Sequence, residues 1–288
     1  MDAYTRPERL EDALSALRER PLTVLAGGTD HFPARVAHTP DEDLLDVTAL
    51  PELRGIRYEV DGGLVIGAAT TWSQLVAADL PPACDGLKAA AREVGGVQIQ
   101  NRGTLGGNLC NASPAADGVP ALLSLDAEVE LASLDGLRRL PLDEFVLGNR
   151  RTARRPDELL TAIRLPAAAL SGTGRFLKLG ARRYLVISIV MVAGTMTKAP
   201  DGTVAAVRLA VGACSAAALR LRGLETSLVG RPAAEAAAAV TDAHLAGLQP
   251  IDDVRADADY RRETAGVLVR RCLAELATER GAADRGDS

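Results

Sequence analysis

Aromatic side chains are scarce, at 3% of 288 residues, with one Trp, four Tyr and three Phe. That excludes the stacking surfaces that hold single-stranded nucleic acid. There is no long basic run and the formal net charge is −5, which argues against nucleic acid and anionic membrane as main partners. No stretch approaches the roughly 20 apolar residues of a transmembrane helix. The charged start MDAYTRPERLEDAL has no apolar signal-peptide core, so the expected compartment is the cytoplasm. Cysteine is limited to Cys84, Cys110, Cys214 and Cys272, none in a C-x-x-C pair or beside a histidine, and His31, His38 and His244 are scattered. The expectation is free thiols in a reducing compartment and no zinc or iron–sulfur site on this chain. No G-x-G-x-x-G stands between a strand and a helix, which disfavours a Rossmann nucleotide site.

What is present is the patterning of an ordinary globular protein, 47% hydrophobic and 25% charged, of a length that implies about two domains. Thr5-x-x-Glu8 with Pro7 resembles a capping box. Leu10, Ala13, Leu14 and Leu17 then fall on one helical face. Strands are expected at Thr23–Ala26, Asp43–Val47, Gly63–Ala68, Ala127–Ala132 and Leu159–Leu165. Leu87, Ala90, Ala91 and Val94 mark a second helix, which Gly95-Gly96 would end. PALLSL is helix-prone. Pro166 to Gly174 is small and flexible and reads as a domain linker. Beyond it, the apolar runs Ile187–Thr197 and Val204–Val211 flank a hairpin turn at Ala199-Pro200-Asp201-Gly202. The alanine-rich remainder reads as helical. Asp259 to Glu279 is a strong helix with Leu268, Cys272 and Leu276 on one face, and the tail from Gly281 is expected to be disordered.

Two stretches carry the chemistry. AGGTD, Ala26 to Asp30, follows the apolar run PLTVL. TLGGNLCNASPAAD, Thr104 to Asp117, is dense in small and polar residues. Glycine pairs let a ligand approach the backbone, and successive amides in such a turn form a nest for phosphate oxygens. The second stretch adds Thr104, Asn108, Asn111, Ser113 and Asp117 as polar contacts. Two loops of this kind suit a ligand with two phosphates and several hydroxyls, a nucleotide cofactor. An ordinary turn remains the plain reading of either glycine pair taken alone. Trp72 reads as packing. Arg150, Arg151, Arg154 and Arg155 read as a solvated face or a contact for an acidic partner.

AGGTD followed after about 75 residues by TLGGNLCNASPAAD resembles the two flavin signatures of the FAD-binding medium subunit of molybdenum hydroxylases, the xanthine dehydrogenase and carbon monoxide dehydrogenase family. YTRPERLEDAL, QIQNRGTLGG, ELLTAIRLP, KLGARR, RLAVGACS and ADYRRETAGVLVRRCL extend the likeness over nearly the whole chain. The resemblance implies an α+β flavoprotein. Residues 1–168 would be a vanillyl-alcohol-oxidase (PCMH)-type FAD-binding domain of two α/β subdomains. Residues 174–280 would be a C-terminal domain with a small antiparallel sheet and helices.

It also implies the site. Ala26, Gly27, Gly28, Thr29 and Asp30 would wrap the pyrophosphate with backbone amides, with Val24 and Leu25 leading in and His31 adding a backbone contact. Thr104, Leu105, Gly106, Gly107 and Asn108 would complete the cradle, and Asp117 would contact FAD. Leu160, Lys178 and Cys110 correspond to positions near the cofactor. FAD would be bound non-covalently, with no side chain of this chain acting as acid or base. The implied partners are a small subunit with two [2Fe-2S] clusters and a large molybdopterin subunit, in a dimer of heterotrimers. In one place the chain departs from the pattern: Tyr184-Leu185-Val186 follows Arg182-Arg183 where the family has an aspartate, in a segment that approaches the flavin's reactive edge. Two other readings stay open at this level: a self-contained flavin oxidoreductase, and a non-catalytic nucleotide-binding or assembly protein of the same fold.

Overall fold

The computed structural model describes residues 4–33 and 42–278. His38 and the tail from Gly281 lie outside the described residues.

The chain begins with β1 (Tyr4–Thr5), α1 (Leu10–Glu19), β2 (Thr23–Leu25) and β3 (Leu44–Asp46). These strands form a small parallel sheet in the order β1-β3-β2. Ala13, Leu14 and Leu17 of α1 are buried as the periodicity predicts. The expected capping box at Thr5 and Glu8 is absent. Thr5 is drawn into β1, and α1 starts at Leu10 behind Arg9, which makes no side-chain cap. Pairing with β3 claims the backbone that a cap would need.

Next come β4 (Ile56–Tyr58), β5 (Leu64–Gly67), α2 (Trp72–Ala77), α3 (Asp85–Glu93), α4 (Val97–Arg102), α5 (Leu105–Asn111) and α6 (Gly118–Leu123). Then follow β6 (Glu128–Ser133), β7 (Gly136–Pro141), α7 (Leu142–Phe145), β8 (Val146–Gly148), β9 (Arg151–Thr152) and β10 (Leu159–Leu165). The strands β4-β5-β10-β6-β7 form an antiparallel sheet, and β8 pairs with β9. Trp72, Leu87, Leu105, Leu109 and Leu122 pack against this sheet in the central core. The glycine-rich first half of the second motif is thus helical, and only 112–117 remains a turn. Thr104 caps α5 by accepting from the Gly107 amide at 3.0 Å, and Ala112 closes it in the left-handed region with φ 47°. A genuine capping box stands at Thr71 and Gln74, at the start of α2.

The last part holds β11 (Thr173–Leu179), β12 (Val190–Lys198), β13 (Val204–Gly212), β14 (Leu219–Arg220), α8 (Arg222–Leu228) and α9 (Ala258–Ala277). The four strands form an antiparallel sheet whose β12–β13 hairpin has the expected turn, with Gly202 at φ +83°. Both faces of this sheet are covered. Met191 and Ala193 enter the central core, whereas Val190 and Val192 pack with Leu268, Cys272 and Leu276 of α9. Burial on two faces explains why the strand reads as one continuous apolar run. Asp257 caps α9 by accepting from the Tyr260 amide at 2.7 Å. Between α8 and α9 the alanine-rich segment forms only short 3-10 turns, Ala233–Glu235 and Asp242–Leu245, in place of the expected helices.

Pro166 to Gly174 does not behave as a free linker. β11 begins at Thr173, and Phe176 lies in the same core as the five-stranded sheet. A Cβ on Gly174 would stand 2.1 Å from the Ala83 carbonyl oxygen, so the strand meets the start of α3 backbone to backbone. Among the described residues, no helix is long and apolar enough to cross a membrane.

Candidate cofactor site

A cavity of about 880 Å³ opens where the parallel sheet, the α4–α5 corner and the segment before β12 converge. Its volume lies toward the upper end of the range for small-molecule and cofactor sites, roughly 300–1,000 Å³.

The parallel sheet delivers the first motif. Val24 and Leu25 pair with Leu45 and Asp46, and the chain then leaves the sheet as Ala26-Gly27-Gly28-Thr29-Asp30 along the cavity wall. Among the described residues, none accepts a hydrogen bond from the amides of Ala26, Gly27, Gly28, Thr29 or Asp30. Consecutive open amides form a nest with partial positive charge. Gly28 has φ +69°, which glycine alone adopts without strain. Gly27 serves a different need: a Cβ there would stand 2.0 Å from the Arg102 carbonyl oxygen, against the corner that precedes α5. The first motif therefore docks by direct backbone contact on Arg102 and Gly103, the residues that lead into the second.

The second motif faces the cavity with Thr104, Gly106, Gly107 and Asn108, whereas Leu105 is fully buried in the core. The first amides of α5 are all taken. Leu105 donates to Thr70 O, Gly106 to Ala68 O, Gly107 to Thr104 Oγ1 and Asn108 to Thr104 O. The expectation of a second amide cradle is corrected by these bonds. What this motif offers a ligand is surface. A Cβ on Gly107 would meet Thr104 Oγ1 alone within 4 Å, so that glycine leaves cavity space open, while one on Gly106 would stand 2.7 Å from Ala68. Asn108 Oδ1 is buried at the cavity and has no partner among the described residues. Such an orphan acceptor is costly unless a further group meets it.

Asp117 lines the cavity, but its carboxylate is claimed from behind. Lys178 Nζ lies 2.7 Å from Oδ2, and Ser188 donates to Oδ1 at 2.7 Å. Burial pushes the Asp117 carboxyl above its ordinary range; Lys178 and Ser188 pull against that shift. Lys178 itself is buried and does not line the wall. His31 lines the cavity 3.5 Å from Glu42. Leu160 and Cys110 line it too, and Cys110 is exposed. All four cysteines are free, and no His/Cys/Asp/Glu cluster able to hold a metal occurs among the described residues.

The structure adds wall residues that the motifs did not signal: Val94, Gly95, Ile99, Arg150 and Arg154. Leu185, Val186 and Ile187 also line it, with Leu185 in the left-handed region at φ 51°. Tyr184 is 65% exposed beneath the Arg183 guanidinium and is not part of the wall. The arginines had stood out as a basic cluster, but nothing in their spacing tied two of them to the glycine motifs.

Residues 1–168 match the family described as FAD binding domain in molybdopterin dehydrogenase, and residues 175–276 match the CO dehydrogenase flavoprotein C-terminal domain. The chain belongs to this flavoprotein family. It is 33% identical to the carbon monoxide dehydrogenase medium chain of Hydrogenophaga pseudoflava, over 94% of this chain and 95% of that one. It is 30% identical to the xanthine dehydrogenase FAD-binding subunit of Escherichia coli O157:H7, over 97% of each. The fold superposes on reconstituted CO dehydrogenase from Oligotropha carboxidovorans with a TM-score of 0.88 and 29% identity, over 96% of this chain and 98% of that one. The family's cofactor is FAD, and the open amides of Ala26–Asp30, the bare face at Gly107 and the orphan Asn108 Oδ1 fit a ligand with phosphates and donor groups.

Proposed function

We propose that this flavoprotein subunit carries FAD non-covalently for a molybdenum hydroxylase. Electrons removed from a substrate at a molybdopterin centre on a large subunit reach it through two [2Fe-2S] clusters on a small subunit, and leave to an external acceptor. We also propose the division into a flavin-binding domain, 1–168, and a C-terminal domain, 174–280, and an assembly as a dimer of heterotrimers in the cytoplasm. The observation that carries the reading is the run of open amides at Ala26–Asp30, on a cavity of about 880 Å³.

Bound flavin supplies the redox chemistry, and the chain supplies position and electrostatics. In this reading the Ala26–Asp30 amides hold the pyrophosphate with His31 at their end, and Val24 and Leu25 lead into the nest. Gly107 admits the ligand along the face of α5, with Thr104, Gly106 and Asn108 alongside and Leu105 anchoring the helix. Asp117 accepts from the ligand with an orientation set by Lys178 and Ser188. Leu160, Cys110 and Leu185 cover apolar or weakly polar ligand surface and limit water access.

The test is an absorption spectrum of the chain purified alone and after co-expression with its genomic neighbours. Oxidised-flavin bands in the lone chain, with iron–sulfur absorbance and molybdenum added only on co-expression, are the expected result. A colourless chain that also stays colourless with added FAD would sink the reading.

A further inference from the structure

Arg150 ties the two motifs together. Its Nη1 donates to Asn111 Oδ1 at 2.8 Å and lies 3.4 Å from Asp30 Oδ2, so one guanidinium spans the end of α5 and the end of the amide nest. Its backbone is in the left-handed region at φ 54°, and its amide donates to the carbonyl of Ala112, itself left-handed at φ 47°. Left-handed conformers are unfavourable for a non-glycine residue. A long cationic side chain kept at such a position points to a use for that side chain.

The present contacts do not exhaust it. Arg150 and Asp30 are 61% and 55% exposed, and an exposed pair of this length is worth little. Arg154, the other arginine on the wall, has its Nη1 on the carbonyls of Arg155, Pro156 and Glu158. Lys178 is committed to Asp117. A diphosphate seated on the Ala26–Asp30 amides would bring two negative charges beside Asp30, whose carboxylate repels them. Arg150 stands at that place with guanidinium donors to spare and forms stronger charge-assisted bonds to phosphate than to its distant carboxylate.

We infer that Arg150 is a cofactor-binding residue. It closes the anion site that the amides of Ala26–Asp30 open and binds a phosphoryl oxygen of the dinucleotide, while Asn111 holds the guanidinium in place. The inference rests on the FAD reading above.

The experiment is titration of the full-length apo chain with FAD, followed by flavin fluorescence, at low and high salt. Arg150→Gln keeps a donor for Asn111 but removes the charge. It should weaken FAD binding roughly ten- to hundredfold and flatten the salt dependence, while Arg150→Lys should stay within about fivefold of the parent at low salt, the charge being kept. FAD should also shield Arg150 from phenylglyoxal in the unmutated protein, a measurement that needs no variant to fold. An Arg150→Gln protein with parental affinity and salt slope, or equal labelling with and without FAD, would overturn the inference and leave the FAD reading standing. An unmutated chain that binds no FAD would overturn both.

Discussion

The two glycine pairs in this chain have different surroundings. At Gly27-Gly28 the amides meet no acceptor among the described residues, and the chain runs along the cavity as an open nest. At Gly106-Gly107 the amides are spent on Ala68 and Thr104, and the pair forms the first turn of a capped helix. The glycines themselves also divide by role. Gly27 and Gly106 face protein backbone or Ala68 at less than 3 Å, so they let elements dock; Gly28 supplies a left-handed turn, and Gly107 leaves ligand space. The same dipeptide therefore provides charge in one motif and room in the other. Which it provides depends on the acceptors brought within reach from elsewhere in the chain.

Substitutions can break this contrast. The largest effect is expected at Gly27→Ala. Its Cβ would collide with the Arg102 carbonyl, which cannot rotate aside, so denaturant melts should show a loss beyond the roughly 3 kcal/mol usual for overpacking, together with loss of flavin. Retained stability would mean the two motifs do not dock as described.

Next comes Lys178→Met, expected to cost about 3 kcal/mol by leaving the buried Asp117 carboxylate without its cation. The pH dependence has a definite sign. Burial already raises the Asp117 pKa, and removing Lys178 raises it further. A carboxyl that binds its proton more tightly when folded favours the folded state at low pH and loses that contribution as pH rises through the folded value. The deficit of the variant should be greatest at neutral pH and shrink as pH falls toward that value. A deficit independent of pH would show that Asp117 is not the group affected.

Gly107→Val fills ligand space and should weaken FAD about a hundredfold, equivalent to about 2.7 kcal/mol, while the apo chain loses only the roughly 1 kcal/mol of the Thr104 cap, whose Oγ1 lies 2.9 Å from the added Cβ. Full flavin occupancy in that variant would remove the ligand from the α5 face. The smallest effect belongs to Thr104→Ala. Losing the cap should cost about 1 kcal/mol of stability, with FAD affinity moved less than about threefold, because it frees a single amide, that of Gly107, and leaves the open amides of Ala26–Asp30 untouched. A large affinity loss there would return the second motif to the role of an amide cradle.

A good part of the fold could be read in the residues. Leu159–Leu165 emerges as a strand at the bounds expected, and α9 buries the Leu268, Cys272 and Leu276 face. In both, one long element follows one period, so local pattern and tertiary environment agree. The misreadings share a cause. Thr5 looked like a cap but pairs with a strand some 40 residues on, and the first half of the second motif looked like a loop because glycine lowers helix propensity. Capping by Thr104 and packing of Leu105 and Leu109 outweigh that penalty. Arg150 was visible only as one of four nearby arginines, since its partners Asp30 and Asn111 lie 120 and 39 residues away.

By itself, the sequence determined the absence of a metal-ligand pattern, the two small-residue motifs, the main strands and helices, and the likeness to FAD-binding subunits. These depend on residue type and short spacing, which a linear chain displays directly. Tertiary structure decided which amides stay open, that Lys178 stands behind Asp117, and that Arg150 spans both motifs. An amide is open or spent according to whether a distant carbonyl reaches it, as those of Ala68 and Thr70 reach α5 and none of the described ones reaches Ala26–Asp30.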